Sequence, residues 1–186
     1  MSQTENQHAT SAQGATLTRG GGAIESARAS GSYTVTCTGA DGRVRWVDHI
    51  ANLVTTAGKN DALDKYLAGS AYTAAWYLGL IDSGSYSAVA AGDTASSHAG
   101  WTESTAYSNS TRVAATFAAA SSGSKATSAA SAFSINATAT IKGCFLISNS
   151  TKGGSTGTLY SAGLFSGGDR AVANGDTLNV SYTASL

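Results

Sequence analysis

The segment SAYTAAWYLGLID, residues 70–82, gathers Tyr72, Trp76, Tyr77, Leu78, Leu80 and Ile81 inside a chain otherwise dominated by Ser, Thr, Ala and Gly. In an extended chain Trp76, Leu78 and Leu80 share one face, while Ala75, Tyr77, Gly79 and Ile81 share the other. Both faces are largely apolar, the pattern of an interior strand covered on both sides. The segment therefore predicts the spine of a β architecture.

Upstream, SYTVTCTG (residues 32–39) alternates Tyr33, Val35 and Cys37 with Thr34, Thr36 and Thr38, a period-two strand signal. ADG supplies a turn and RVRWV its hairpin partner, with Val44 and Trp46 expected inward and Arg43 and Arg45 outward. Ile50, Leu53, Val54 and Ala57 then recur at helical spacing, with Asp48 placed to cap the first turn, so a helix is expected there, interrupted at Gly58. A second short helix fits NDALDKYLAG: Asn60 as N-cap, Leu63 and Leu67 one turn apart, Asp61 four residues before Lys65, and Gly69 as terminator.

Downstream, residues 83–110 form a Gly/Ser/Ala connection longer than ordinary loops, which marks a functional or partner-bound segment. Beyond it TRVAATFAAA, KATSAASAFSI, ATATIKGCFLIS, GTLYSAGLF and DTLNVSYTA read as strands, separated by the turns SSGS, KGGSTG and ANGD. Roughly eight strands at this spacing predict a mainly β fold, an antiparallel two-sheet sandwich of jelly-roll or Greek-key type with one or two short helices. Residues 1–30 carry almost no aliphatic side chain except Leu17 and Ile24 and read as an extended N-terminal arm, leaving 31–186 as the domain.

Composition narrows the chemistry. Charged residues are 12% of the 186, about half the usual share, and eleven basic residues balance eleven acidic ones. Nothing in that balance recruits nucleic acid or anionic lipid. Proline is absent, so the turns fall to Gly, Asn, Asp and Ser. Cys37 and Cys144 each sit in a strand-like stretch and read as small buried hydrophobes, although a disulfide between them stays open. The N-terminus lacks the pattern of a signal peptide, no window has the length of an apolar membrane span, and synthesis as a soluble cytoplasmic protein is expected.

Tests for catalytic or ligand motifs return little. GGSTG (residues 153–157) matches G-x-S-x-G at Ser155, but the following residues read as a strand where that nucleophile elbow needs a helix. His8, His49 and His98 lack metal-ligand spacing. His98 lies between Asp93 and Glu103 in the long loop, and Asp169 and Asp176 sit in Gly-rich turns where Asp is expected on conformational grounds. The N-x-S/T triplets at Asn109, Asn136, Asn149 and Asn179 follow from Ser/Thr abundance. No catalytic residue, metal ligand or cofactor is expected.

Two long strings, LVTTAGKNDALDKYLAGSAYTAAWYLGLIDSGSYSAVAAGDTASSHAGWTE and IKGCFLISNSTKGGSTGTLYSAGLFSGGDRAVANGDTLNVSYTASL, resemble small virion structural proteins of tailed bacteriophages. They are most like capsid decoration, or cement, proteins. The resemblance runs from about Arg43 to Leu186 and is most specific in TAAWYLGLI, AGDTASSHAGWTE and GLFSGGDRAVANGDTLNVSYTA. It implies a non-enzymatic β domain on the capsid surface of the virion, commonly in threefold clusters. Its partners would be the major capsid protein and sister copies in a homotrimer, with no nucleic acid, membrane or cofactor.

Under that reading residues 1–30 are a clamp that orders on the capsid, anchored by Leu17, Arg19, Ile24 and Arg28, and the long loop offers Trp101 and Tyr107 as further contacts. The alternative is a phage tail or head-surface adhesive module that stacks sugar rings on exposed, aligned Trp101, Tyr86 and Tyr107. A hydrolase would instead need a histidine within hydrogen-bond reach of Ser155, or Asp93 and Glu103 converging on His98.

Overall fold

The alternation of Tyr33, Val35 and Cys37 with threonines yields β1 (Ser30–Thr38), in which those three apolar side chains are fully buried. A computed structural model describes residues 28–69, 71 and 75–186, so the arm residues Leu17, Arg19 and Ile24 lie outside the described residues. A turn with Gly42 at φ +78° returns the chain into β2 (Val44–Val54), antiparallel to β1 with Tyr33 opposite Ile50 and Cys37 opposite Trp46. At the turn end the ladder shifts register, and Thr38 lies opposite Val44. The shift places Val44 on the outer side, 60% exposed, where the sequence pattern put it inward.

The helix expected from Ile50, Leu53, Val54 and Ala57 does not form. That stretch continues β2, with Ile50 and Val54 buried and Leu53 outward, and Asp48 is a buried strand residue, not a cap. A separation of four serves both periods, because i and i+4 share a face in a strand as well as in a helix. Among the described residues one helix follows, α1 (Thr56–Leu67), capped by Thr55, whose Oγ1 accepts the Gly58 N–H at 3.0 Å. Asn60 is thus interior to the helix. Gly58 lies in its first turn because a Cβ there would overlap the Tyr160 backbone, so the glycine permits close packing and does not interrupt. Lys65 Nζ pairs with Asp61 Oδ1 at 2.6 Å, as the spacing predicts, and Gly69 ends the helix at φ +65°.

The remaining elements are β3 (Trp76–Asp82), β4 (Glu103–Ser104), β5 (Val113–Ala115), β6 (Ser124–Ala126), β7 (Ser131–Ser134), β8 (Ala139–Ile147), β9 (Leu159–Leu164), β10 (Arg170–Val172) and β11 (Thr177–Ser185). All pairings are antiparallel, in the order β4-β3-β8-β9-β2-β1-β11-β6, with β5 also on β3, β7 also on β11 and β10 also on β8. The chain is therefore mainly β, as expected. β4 and β10 arise in stretches read as loops, and the single strand expected at KATSAASAFSI is divided into β6 and β7. β2 links two groups of strands: its first part pairs with β1, and Asn52 to Val54 pair with β9.

β3 is the interior strand its two apolar faces predict. Leu78 and Leu80 join a large core with Tyr33, Val35, Ile141, Cys144, Phe133, Leu178 and Val180. Ile81, on the opposite face, joins a smaller core with Trp101, Phe145, Ile147 and Leu159. Gly79, also on that second face, leaves the room that the Phe145 ring occupies, since a Cβ there would overlap it. Cys37 and Cys144 are both buried and free, which closes the question of a disulfide. Burial, followed by the nearby Asp176 charge, pushes the Cys37 thiol up to about 11, as befits an inert core residue. The variant Gly79→Ala is expected to lower stability by about 1–3 kcal/mol through overpacking, read as a reduced urea midpoint with an unchanged m-value.

Candidate functional site

The long loop is built inward from its acidic and aromatic residues. Asp93 Oδ2 accepts the Trp101 indole N–H at 2.9 Å and the Ala90 N–H at 2.9 Å. His98 stacks on the Trp101 ring with centroids 4.1 Å apart, and its Nδ1 lies 3.0 Å from the Trp101 carbonyl. The three groups form a packed corner over Phe145, and Glu103 does not join them.

Glu103 belongs instead to Arg112. The guanidinium is 3% exposed and the carboxylate 6%, with Arg112 Nη2 2.7 Å from Glu103 Oε2 and Nε 3.1 Å from Oε1. Arg112 also donates to the carbonyls of Asn149 and Gly154 at 3.0 and 2.8 Å, and Glu103 accepts the Gly153 N–H at 2.8 Å. The pair thereby fastens the β8–β9 connection to β4. Ser155 is exposed in that connection, which is followed by β9 and not by a helix, so the nucleophile-elbow context is missing. Tyr107 is anchored beside it: its hydroxyl lies 3.4 Å from Glu103 Oε1, and Lys152 Nζ sits 4.1 Å above its ring while donating to the Tyr107 carbonyl.

Two further carboxylates, Asp48 and Asp176, are buried beside the turns that flank β10. Asp48 accepts from Arg170 Nη2 at 2.6 Å, Ser166 Oγ at 2.8 Å and the Ser166 N–H at 3.1 Å. Asp176 accepts the Ala173 N–H at 2.8 Å, and its Oδ1 makes an ionic contact with Arg45 at 3.2 Å. Each is spent on a turn: Asp48 on the β9–β10 connection, Asp176 on the β10–β11 connection. Asp169, the other turn acid, pairs with Lys142 at 2.6 Å.

Trp101 and Tyr107 are only 2% and 1% exposed, so neither presents a ring at the surface. The exposure expected of these two rings is therefore corrected: the loop turns Trp101 and Tyr107 into the core, while Tyr86 stays half-buried with Lys142 Nζ 4.9 Å from its ring centroid. Arg28 is exposed at the head of β1, and Leu17, Arg19 and Ile24 fall outside the described residues. Among the described residues no group of three or more His, Cys, Asp and Glu is placed to hold a metal ion, and no helix is long and apolar enough to cross a membrane.

Three surfaces stand out. The outward side of the β2–β1–β11 ladder carries Thr34, Thr36, Val47, His49, Ala51, Leu53, Asn179, Ser181 and Thr183, with no Asp, Glu, Lys or Arg between them. Val47 and Leu53 are 48% and 37% exposed there. A polar trough of about 660 Å³ lies along Asp82, Ser83, Glu103, Asn136, Thr138 and Thr140. Its acids are already occupied, Glu103 by Arg112 and Asp82 by the Gly84 N–H at 2.8 Å. An apolar groove of about 400 Å³ opens between α1 and the strands, floored by Leu146 and walled by Tyr66, Trp76, Phe117, Tyr160 and Tyr182. Neither protein-family models nor curated proteins give a match to the chain.

Sequence reasoning missed Arg112, whose partner Glu103 stands nine residues before it, and Arg170, and it read Asp48 as a cap although its partner Arg170 is 122 residues away. The available signal was scarcity: a charge inside an otherwise apolar run needs a buried partner. Arg112→Ala is expected to cost about 3–5 kcal/mol, because it leaves the Glu103 carboxylate buried and alone; denaturant melts of this variant and of Arg112→Lys measure it. Burial alone would raise the Asp48 pKa, but hydrogen bonds from Arg170 and Ser166 outweigh it and hold the carboxyl below its ordinary value. Such a group stabilises fully above its unfolded pKa of about 3.9, and the contribution disappears as pH falls through the lower folded value. Urea midpoints taken as a function of pH should therefore fall below about pH 4 more steeply for the native chain than for Asp48→Asn.

Proposed function

We propose that this protein is a non-enzymatic structural component of a tailed-phage virion, seated on the outer capsid surface as a decoration protein that stabilises contacts between capsid subunits. In this proposal the two strand groups joined by β2 are the layers of an antiparallel sandwich, and the major capsid protein and sister copies in a trimer are the partners. The observation that carries it is the uncharged outward face of the β2–β1–β11 ladder. A Thr, Ser and Ala surface with half-exposed Val47 and Leu53 can be covered by another protein without stripping water from a charge. The fate of the acids supports the same reading: Asp48, Glu103 and Asp176 are held by arginines in structural roles. The segment ahead of β1, with Leu17, Arg19, Ile24 and Arg28, is the proposed clamp, and multiple seats on one particle would add avidity.

Co-sedimentation with capsids lacking the protein tests this. Saturable binding of the native chain is expected, together with a loss of at least about ten-fold in affinity for Ala51→Glu, which places an unpaired carboxylate in the covered face. Equal binding by Ala51→Glu would remove that face from the interface. Absence of binding by the native chain would overturn the decoration reading and favour a tail or adhesive role.

A further inference from the structure

The apolar groove is the unsealed end of the main core. Tyr182 and Ala184 come from β11, Phe117 and Lys125 from the β5–β6 region, Trp76 and Tyr160 from the other strand group, and α1 roofs part of it with Tyr66. Tyr182 is itself a core residue, and Trp76, Phe117, Tyr160 and Ala184 pack against that core while remaining partly open. A groove of this size and aromatic lining lies in the range that buries a compact apolar group.

The start of β1 lies at the rim of this groove. Ser30 pairs with Ser185 and Gly31 with Ala184, and a Cβ on Gly31 would overlap the Tyr182 hydroxyl, so the backbone enters directly over a lining residue. The chain outside the described structure at this end is 27 residues long. Its large apolar side chain nearest to β1 is Ile24, six residues ahead of Ser30, within a reach of about 20 Å. Charge matches as well. Glu25 follows Ile24, and Lys125 at the groove rim donates to the Ala118 carbonyl but pairs with no carboxylate among the described residues.

We propose that the groove is the seat of the chain's own N-terminal segment, with Ile24 as the inserted side chain and Glu25 facing Lys125. Tethering at the rim gives the segment a high effective concentration, which favours its own groove over that of another copy. Ile24 then completes the core and does not serve a capsid, and the clamp proposed above narrows to Leu17, Arg19 and Arg28. The inference is independent of any capsid and stands or falls on the isolated protein.

Two measurements on the full-length chain decide it. The apolar dye anilinonaphthalene sulfonate should fluoresce weakly with the native chain and with Gln13→Asp, and at least about five-fold more strongly with Ile24→Asp at a temperature where circular dichroism shows all three folded. Equal fluorescence from Ile24→Asp overturns the proposal and leaves the groove to the α1–β3 connection. Mild oxidation of the double variants Ile24→Cys/Ala62→Cys and Ile24→Cys/Lys125→Cys should give an intrachain disulfide in at least one of them, the native cysteines being buried. A covalent dimer as the main product assigns the groove to a second copy's segment, and absence of any cross-link in both variants denies the contact; either overturns the proposal.

Discussion

The bidentate contact between Arg112 and Glu103 is the tie on which β4, the long loop's end and the β8–β9 connection depend. A chain with few aliphatic side chains cannot bury its loops by hydrophobic area alone, and long connections lose much conformational entropy when ordered. One guanidinium here holds β4, the β8–β9 connection and the approach to Tyr107 together, while stacking 5.3 Å from the Phe145 ring. The desolvation of both ions is costly, and it is offset because nearly every donor and acceptor of the pair has a partner. Asp48 with Arg170 and Asp176 with Arg45 repeat the device at other turns. A low charge count coexists here with deliberate placement of the charges that remain.

This economy explains why a search for chemistry finds so little to work with. Groups that resemble catalytic parts in sequence, namely His98 with Asp93 and Glu103, are separated by the fold into two unrelated clusters. Asp93 orients an indole, His98 lies flat on that indole, and Glu103 serves an arginine. What the surface does offer is extent and shape: an uncharged strand face, a polar trough with its acids engaged, and an aromatic-walled groove at the end of the core. These features are the ones on which the proposed role as a surface-fitting protein draws.

The parts of the fold that could be read in the chain are those where one period dominates. Tyr33, Val35 and Cys37 alternate cleanly, and the two apolar faces of residues 76–81 admit only an interior strand. Reading fails at Val44–Val54 for a definite reason. Asp48 occupies an inward position, which erases the alternation, and its partner Arg170 is 122 residues away. With that position misread, Ile50 and Val54 fit a helix as well as a strand. The loop stood out by its length, but the direction of Trp101 and Tyr107 did not, because the Phe145 ring under Trp101 and the Lys152 cation over Tyr107 are brought there by tertiary folding. The ladder face was half legible: the threonines of β1 were evident, whereas their neighbours on β2 were assigned to a helix.

The full-length pairing of β1 with β11 has a consequence for how the chain comes into being. Ser30 meets Ser185 across 155 residues of sequence, and every pair down to Thr38 and Thr177 closes a comparably long loop. A nascent polypeptide can form the β1–β2 hairpin early, yet one edge of β1 stays unpaired until the strand carrying Leu178, Val180 and Tyr182 leaves the ribosome. Folding dominated by such distant contacts is slow, on the scale of about milliseconds to seconds for domains of this kind. Through that interval the hairpin's inner face, Tyr33, Val35 and Ile50, lacks its lid. Completion of this ladder thus waits on β11, and until then the apolar side of the hairpin is open to non-native contacts.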